Sequence, residues 1–164
     1  MVVDHKEAFK NIPEKTLPPV LLADVKKIIA QAKADDQILV IDFWATWCLP
    51  CVQMFPELHE KLPALSDKVR MVTITLDSPG KYEALAVDFL RKHDAMHDAY
   101  RIGGEADDWN EMIAGLGKQW QDLNVPAILV YNNDGELWDE FINKRAKPDL
   151  ILSRVEELVK AHQR

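Results

Sequence analysis

FWATWCLPC, residues Phe43 to Cys51, holds both cysteines of a 164-residue chain. Two thiols cannot found a disulfide-rich scaffold. A bridge closing so short a loop also removes little chain entropy. The spacing therefore points to chemistry rather than bracing. A thiolate attacks a disulfide where a thiol does not, and a helix N-terminus lowers a cysteine pKa through partial positive charge and free N–H groups. Upstream, QILVIDFW (Gln37 to Trp44) is almost continuously apolar, as a strand covered on both faces should be. Downstream, Cys48 to Leu62 reads as a helix, with Pro50 tolerated near its start and Pro56 expected to kink it. Cys48 thus falls where a strand has ended and a helix begins. It is expected to be the exposed, attacking thiol. Cys51, one turn in, is placed to attack the mixed disulfide and release the product.

Asp42 interrupts the apolar run. A carboxylate inside a buried strand is costly unless paired or protonated, and desolvation raises its pKa. One reading makes Asp42 the acid/base that exchanges a proton with Cys51. The other is a strand-end aspartate that caps a neighbour or faces solvent. Val125-Pro126 directly precedes a further apolar run, where proline supplies no ladder donor. X-Pro bonds are mostly trans, so Pro126 alone does not imply a cis bond.

Further apolar runs, MVTITLD (Met71 to Asp77) and AILVY (Ala127 to Tyr131), read as strands. Strand, helix, strand around the cysteines gives a right-handed crossover and a parallel pair. Leu21 to Ala34 has helical periodicity. Tyr82, Leu85, Ala86, Phe89 and Leu90 define another amphipathic face, ending near His93. Gly103-Gly104 is a loop. Asp107 or Asp108, with Glu111, is expected to cap a helix running towards Trp120. NNDG between AILVY and ELWDEFI predicts a hairpin. Pro148 starts a closing helix whose apolar face is Ile151, Val155, Leu158 and Val159. Lys10 to Pro19, with three prolines, is an extended lead-in. The sum is βαβ, a long helical excursion, then ββα: an α/β fold with a mixed sheet and helices on both faces. One domain, residues 1–164, accounts for the length.

A formal net charge of -7, with no basic stripe, excludes a phosphate-tracking nucleic-acid binder. The composition, 48% hydrophobic, excludes a disordered chain. No stretch is long enough to span a membrane. MVVDHKEAFKNIPEK lacks an apolar run behind a basic segment and is not read as a signal peptide. Structural zinc needs four ligands. His59 lies on the cysteine helix, and His93 and His97 have i, i+4 spacing, but no second cysteine pair exists. Haem attachment fails because Val52 follows Cys51. Trp44 is a candidate core residue. Trp109 and Trp120 are expected to pack the extra helices onto the sheet, with partner binding the weaker alternative.

FWATWCLPC resembles the active-site segment of the thioredoxin superfamily. That family places an aspartate six residues before the first cysteine, a proline five residues after the second, and a cis-proline after an apolar residue ahead of a later strand. Asp42, Pro56 and Val125-Pro126 match these positions. The long connection from Asp77 to Val125, with WATWCLPC followed by FPEL, is similar to TlpA-type thiol–disulfide reductases. Many of those carry a glutamate where this chain has Met54, and many lack the buried aspartate. The resemblance implies a thioredoxin fold with a helical insertion over residues 78–124, before a cis Pro126, and an extended lead-in over residues 1–20. It implies catalytic Cys48, Cys51 and Asp42. Trp47, Pro50, Val125 and Pro126 form the substrate-docking edge, Val125 by strand addition. It implies no bound cofactor and no metal, because electrons arrive from an upstream protein thiol reductant and pass to protein disulfides. A monomer is expected. The TlpA-type likeness implies an extracytoplasmic home if a leader or anchor has been removed, and a cytoplasmic one if the chain is complete as given. The competing reading is a thioredoxin-fold binding module or chaperone whose cysteines do not turn over.

Overall fold

The computed structural model describes residues 15–163. The expected lead-in over residues 1–20 therefore lies outside the described residues up to residue 14. Strand β2 (Ile38–Trp44) is the centre of the molecule, and all seven of its residues are buried. Its side chains alternate between the two faces of the sheet. Leu39, Ile41 and Phe43 join one core with Val25, Ala32, Met112, Leu116 and Trp120. Ile38 and Val40 join a second core with Met54, Leu58, Leu62, Ile151 and Val155. Each fully buried Leu, Ile or Phe contributes about 1.5–3 kcal/mol. A central strand buried on both sides therefore anchors the fold more firmly than any edge.

The sheet has six strands in the order β1 (Pro19–Val20), β4 (Ala99–Ile102), β3 (Val69–Thr75), β2, β5 (Ala127–Tyr131) and β6 (Leu137–Ile142). The first four run parallel, and β5 and β6 are antiparallel. Helices α1 (Leu22–Ala34) and α4 (Ala106–Leu116) cover the face lined by Phe43. Helices α2 (Leu49–Leu65), α3 (Lys81–Lys92) and α5 (Pro148–His162) supply the cores on the opposite face. The expected mixed sheet with helices on both faces is the fold observed. The β5–β6 hairpin turns through Gly135 at φ +76°, a left-handed conformation that glycine adopts without a Cβ penalty.

Several expectations need correction. The excursion over residues 78–124 is not purely helical. It contains β4, which pairs with β3 and, on its other edge, with β1. Four residues interrupted by Arg101 give no readable period, and β1 has only two residues. Helix α3 buries only part of the face predicted for it: Ala86 and Leu90 are buried and Phe89 packs on the core. Tyr82 and Leu85 are exposed, while Glu83, Ala86, Val87 and Leu90 point inward. Glu83 sets this rotation by accepting the Leu17 N–H at 2.8 Å and pairing with Arg101 at 3.1 Å. Periodicity cannot anticipate a buried carboxylate. The cap of α4 is Glu105, and Asp108 closes the reciprocal bond by accepting the Glu105 N–H at 2.9 Å. Helix α2 continues past Leu62, through Pro63 to Leu65. The second parallel strand ends at Thr75, before Asp77.

Candidate functional site

The carboxyl ends of parallel strands are where an open α/β sheet leaves a crevice for ligands. Here β2 ends at Trp44, a four-residue loop follows, and α2 begins at Leu49. Cys48 is the N-cap of α2. Its Sγ accepts the Cys51 N–H at 3.3 Å, one of the orphan donors of the first helical turn. Cys48 and Cys51 form a disulfide with their Cα atoms 5.3 Å apart. The sulfur that a helix N-terminus solvates best is the one it holds as a thiolate.

Cys48 is not exposed as expected. It is 6% accessible and Cys51 only 2%. Both pack on a cluster of Leu17, Trp44, Ala45, Phe55, Ala86 and Leu90. Trp47 and Leu49, on either side of Cys48, are 60% and 65% exposed and form the open rim. The cysteines thus lie at the floor of a shallow apolar frame. Beneath them Trp44, Phe55 and Phe89 pack with ring centroids 5.1 Å apart in each pair. His59 stacks on Phe55, and His93 packs tilted against Phe89 with ring centroids 4.6 Å apart. Burial holds the His59 imidazole below the usual histidine range.

Asp42 is 1% accessible, so the solvent-facing reading of this residue is wrong. Strand alternation puts it on the same face as Val40, the face covered by α2. Its Oδ1 has no hydrogen-bond partner among the described residues. Desolvation pushes its carboxyl up to about 7. A carboxylic acid poised there exchanges protons readily at neutral pH.

The Val125–Pro126 peptide bond is cis. The register of Phe43 opposite Ala127 sets this bond alongside the end of β2, where the cysteine loop begins. Val125 packs against the cluster holding both cysteines. Among the described residues no hydrogen bond engages its backbone N–H or C=O. An edge with free donor and acceptor can take up an extended peptide. Pro50 falls in the first turn of α2, where its missing N–H costs nothing.

One residue of the site went unnoticed in the sequence. Asp77, 1% accessible, accepts the Thr46 N–H at 2.9 Å and the Thr46 and Thr75 hydroxyls at 2.6 and 2.5 Å. It ties the loop before Trp47 to the end of β3. Thr46 in the cysteine loop and Thr75 with Asp77 at the end of β3 show no joint signal until the two strands pair.

The thioredoxin family model matches residues 20–88, the span from β1 through most of α3. The thioredoxin of Rhodospirillum rubrum is 38% identical over 74 residues, 39% of this chain and 71% of that protein. The chain belongs to the thioredoxin family. With its cysteine pair it is a thiol–disulfide oxidoreductase of that family. Solved structures extend the likeness of fold beyond the matched segment. A thiol:disulfide interchange protein from a Bacteroides species superposes with a TM-score of 0.58 at 15% identity, covering 78% of this chain and 77% of the other. A secreted disulfide oxidoreductase of Mycobacterium tuberculosis gives 0.53 at 24% identity, covering 75% and 83%.

Proposed function

We propose that this thioredoxin-family chain works in the reducing direction, on disulfides of polypeptides, and as a monomer. The observation that carries the proposal is Cys48 as the N-cap of α2, with the Cys51 N–H directed at its sulfur. In the dithiol form the Cys48 thiolate attacks one sulfur of the substrate disulfide and displaces the other as a thiolate, which takes a proton. Cys51 then gives its proton to the ionised Asp42 and attacks Cys48 Sγ. The Cys48–substrate bond breaks, the second substrate sulfur leaves as a thiolate and takes up a proton, and Asp42 releases the proton it held. The substrate has gained two electrons and two protons, and the Cys48–Cys51 disulfide has formed. An external protein dithiol returns the electrons, and no bound cofactor enters the cycle. Trp47 and Pro50 frame the attack, and Val125 with Pro126 offers the docking edge. The connection from Asp77 to Val125 is longer than in the smaller thioredoxins, and the family match reaches only to residue 88 within it.

The reduction potential of the Cys48–Cys51 pair tests this reading, followed by tryptophan fluorescence in dithiothreitol buffers. A reductant should lie near about -270 mV and a disulfide-forming oxidant near about -120 mV. A Cys51→Ser protein should accumulate a mixed disulfide at Cys48 with a disulfide-containing polypeptide. No reversible two-electron transition would sink the proposal and leave a binding module.

A further inference from the structure

Ile102 to Asn124 carries five acidic residues, Glu105, Asp107, Asp108, Glu111 and Asp122, against one cation, Lys118. Both ends of this segment return to the cysteine loop. Between them lies a cavity of about 250 Å³, lined by Trp47, Leu76, Ile102, Trp109, Asp122 and Leu123. Its volume suits one long side chain. Trp47 sits beside Cys48, so whatever fills the cavity is held next to the reacting sulfur.

The walls define the occupant. Trp109 donates its indole N–H to the Gly103 carbonyl at 3.0 Å, so the ring offers its π-surface rather than a donor. Leu76, Ile102 and Leu123 supply aliphatic contact. Asp122 is exposed and takes part in none of the ion pairs among the described residues. Its position is set by the chain on either side. The Trp120 indole N–H donates to the Asn124 carbonyl at 2.8 Å, and Asn124 N–H to the Gln121 carbonyl at 3.0 Å. Glu140 anchors the start of the same loop by accepting the backbone N–H groups of Lys118, Gln119 and Trp120.

A lysine or arginine meets every wall. Its methylene stem packs on apolar surface, its charge lies near aromatic rings, and its head meets a carboxylate. An aliphatic side chain would desolvate Asp122 without pairing it. An acidic one would meet a like charge within an acidic segment. We propose that this cavity seats a lysine or arginine of the polypeptide substrate, close to the cysteine whose disulfide Cys48 attacks. The assignment rests on the oxidoreductase reading and names the class of substrate for it.

The test uses the reduced full chain and three peptides, each cyclised by one disulfide and differing only in whether Lys, Leu or Glu flanks the cysteines. Oxidation of the Cys48–Cys51 pair is followed by tryptophan fluorescence. At low salt the Lys peptide should react about tenfold faster than the Glu peptide and a few-fold faster than the Leu peptide. That gap should narrow at about 1 M salt. In Asp122→Asn the Lys-to-Glu ratio should fall to about twofold or less, and Asp122→Lys should favour the Glu peptide. Equal rates, or a fastest Leu peptide with a ratio untouched by Asp122→Asn, would overturn the proposal. Bis(2-hydroxyethyl) disulfide, small and neutral, separates the two claims. If it oxidises the pair while the peptides show no charge preference, only the cavity assignment fails. If it and the peptides all fail to react, the oxidoreductase reading falls and takes this one with it.

Discussion

Asp42 shows how one side chain trades stability for reactivity. Its carboxyl titrates near 3.8 when solvated and about 7 in the fold. A raised folded-state value means that the native protein holds a proton the unfolded chain has released. The stabilisation is complete below about pH 4 and is lost as pH rises towards 7. The slope is about 1.4 kcal/mol per pH unit over that window, and it is flat above. Asp42→Asn should abolish this slope, read as denaturation midpoints between pH 4 and 8. The same substitution should slow resolution of the mixed disulfide at pH 8 by about 100-fold, the lower end of the usual general-base range. It should also remove the rise in that rate as pH passes through 7. A resolution rate with the same pH profile in Asp42→Asn would separate the buried aspartate from the chemistry.

At the scale of elements, the helix-start chemistry at Cys48 was legible because strand, loop and helix are consecutive. The register of α3 was not. Its buried Glu83 is satisfied from two distant elements, the lead-in at Leu17 and β4 at Arg101. This carboxylate holds Leu17 against the cysteine cluster. Glu83→Ala leaves the Arg101 guanidinium without its partner and frees the Leu17 N–H. Breaking a buried pair on one side costs about 3–5 kcal/mol. Arg101 keeps some solvent contact, so the lower end, about 3 kcal/mol, is expected in chemical denaturation. Hydrogen exchange should then quicken at the Leu17 amide before it does in β2. Unchanged exchange at Leu17 would mean that another contact holds the lead-in.

For the whole molecule, the segment 78–124 is structural. It supplies β4, which pairs with β3, and places Met112, Leu116 and Trp120 in the core under Phe43. Trp120 packs on Phe43 with centroids 4.4 Å apart, as expected of a tryptophan joining the added helices to the sheet. Trp109 is only half-buried and lines the cavity beside Trp47. The Tyr131 hydroxyl donates to the Leu116 carbonyl at 2.7 Å, closing the end of α4 onto β5. Replacing residues 78–124 by a short turn should therefore abolish cooperative unfolding, not yield a smaller stable thioredoxin. Trp120→Ala alone should cost about 3–5 kcal/mol. Calorimetry of both variants checks this, and a sharp transition in the deletion protein would show that the remaining strands form a self-sufficient core.

The sequence by itself determined the features encoded over short spans: the buried central strand, the cysteines at a helix start, the hairpin, the closing helix and the aspartate in the apolar run. Each is written in the period or turn chemistry of a few consecutive residues. Tertiary structure alone decided the rest. β4 and β1 are too short to form except against β3 and each other. The inward turn of Glu83, the clasp of Asp77 on Thr46 and the cavity between Trp47 and Trp109 join residues separated by tens of positions. Their partners meet only when the sheet has assembled, so the physical cause is long-range pairing that no local pattern records.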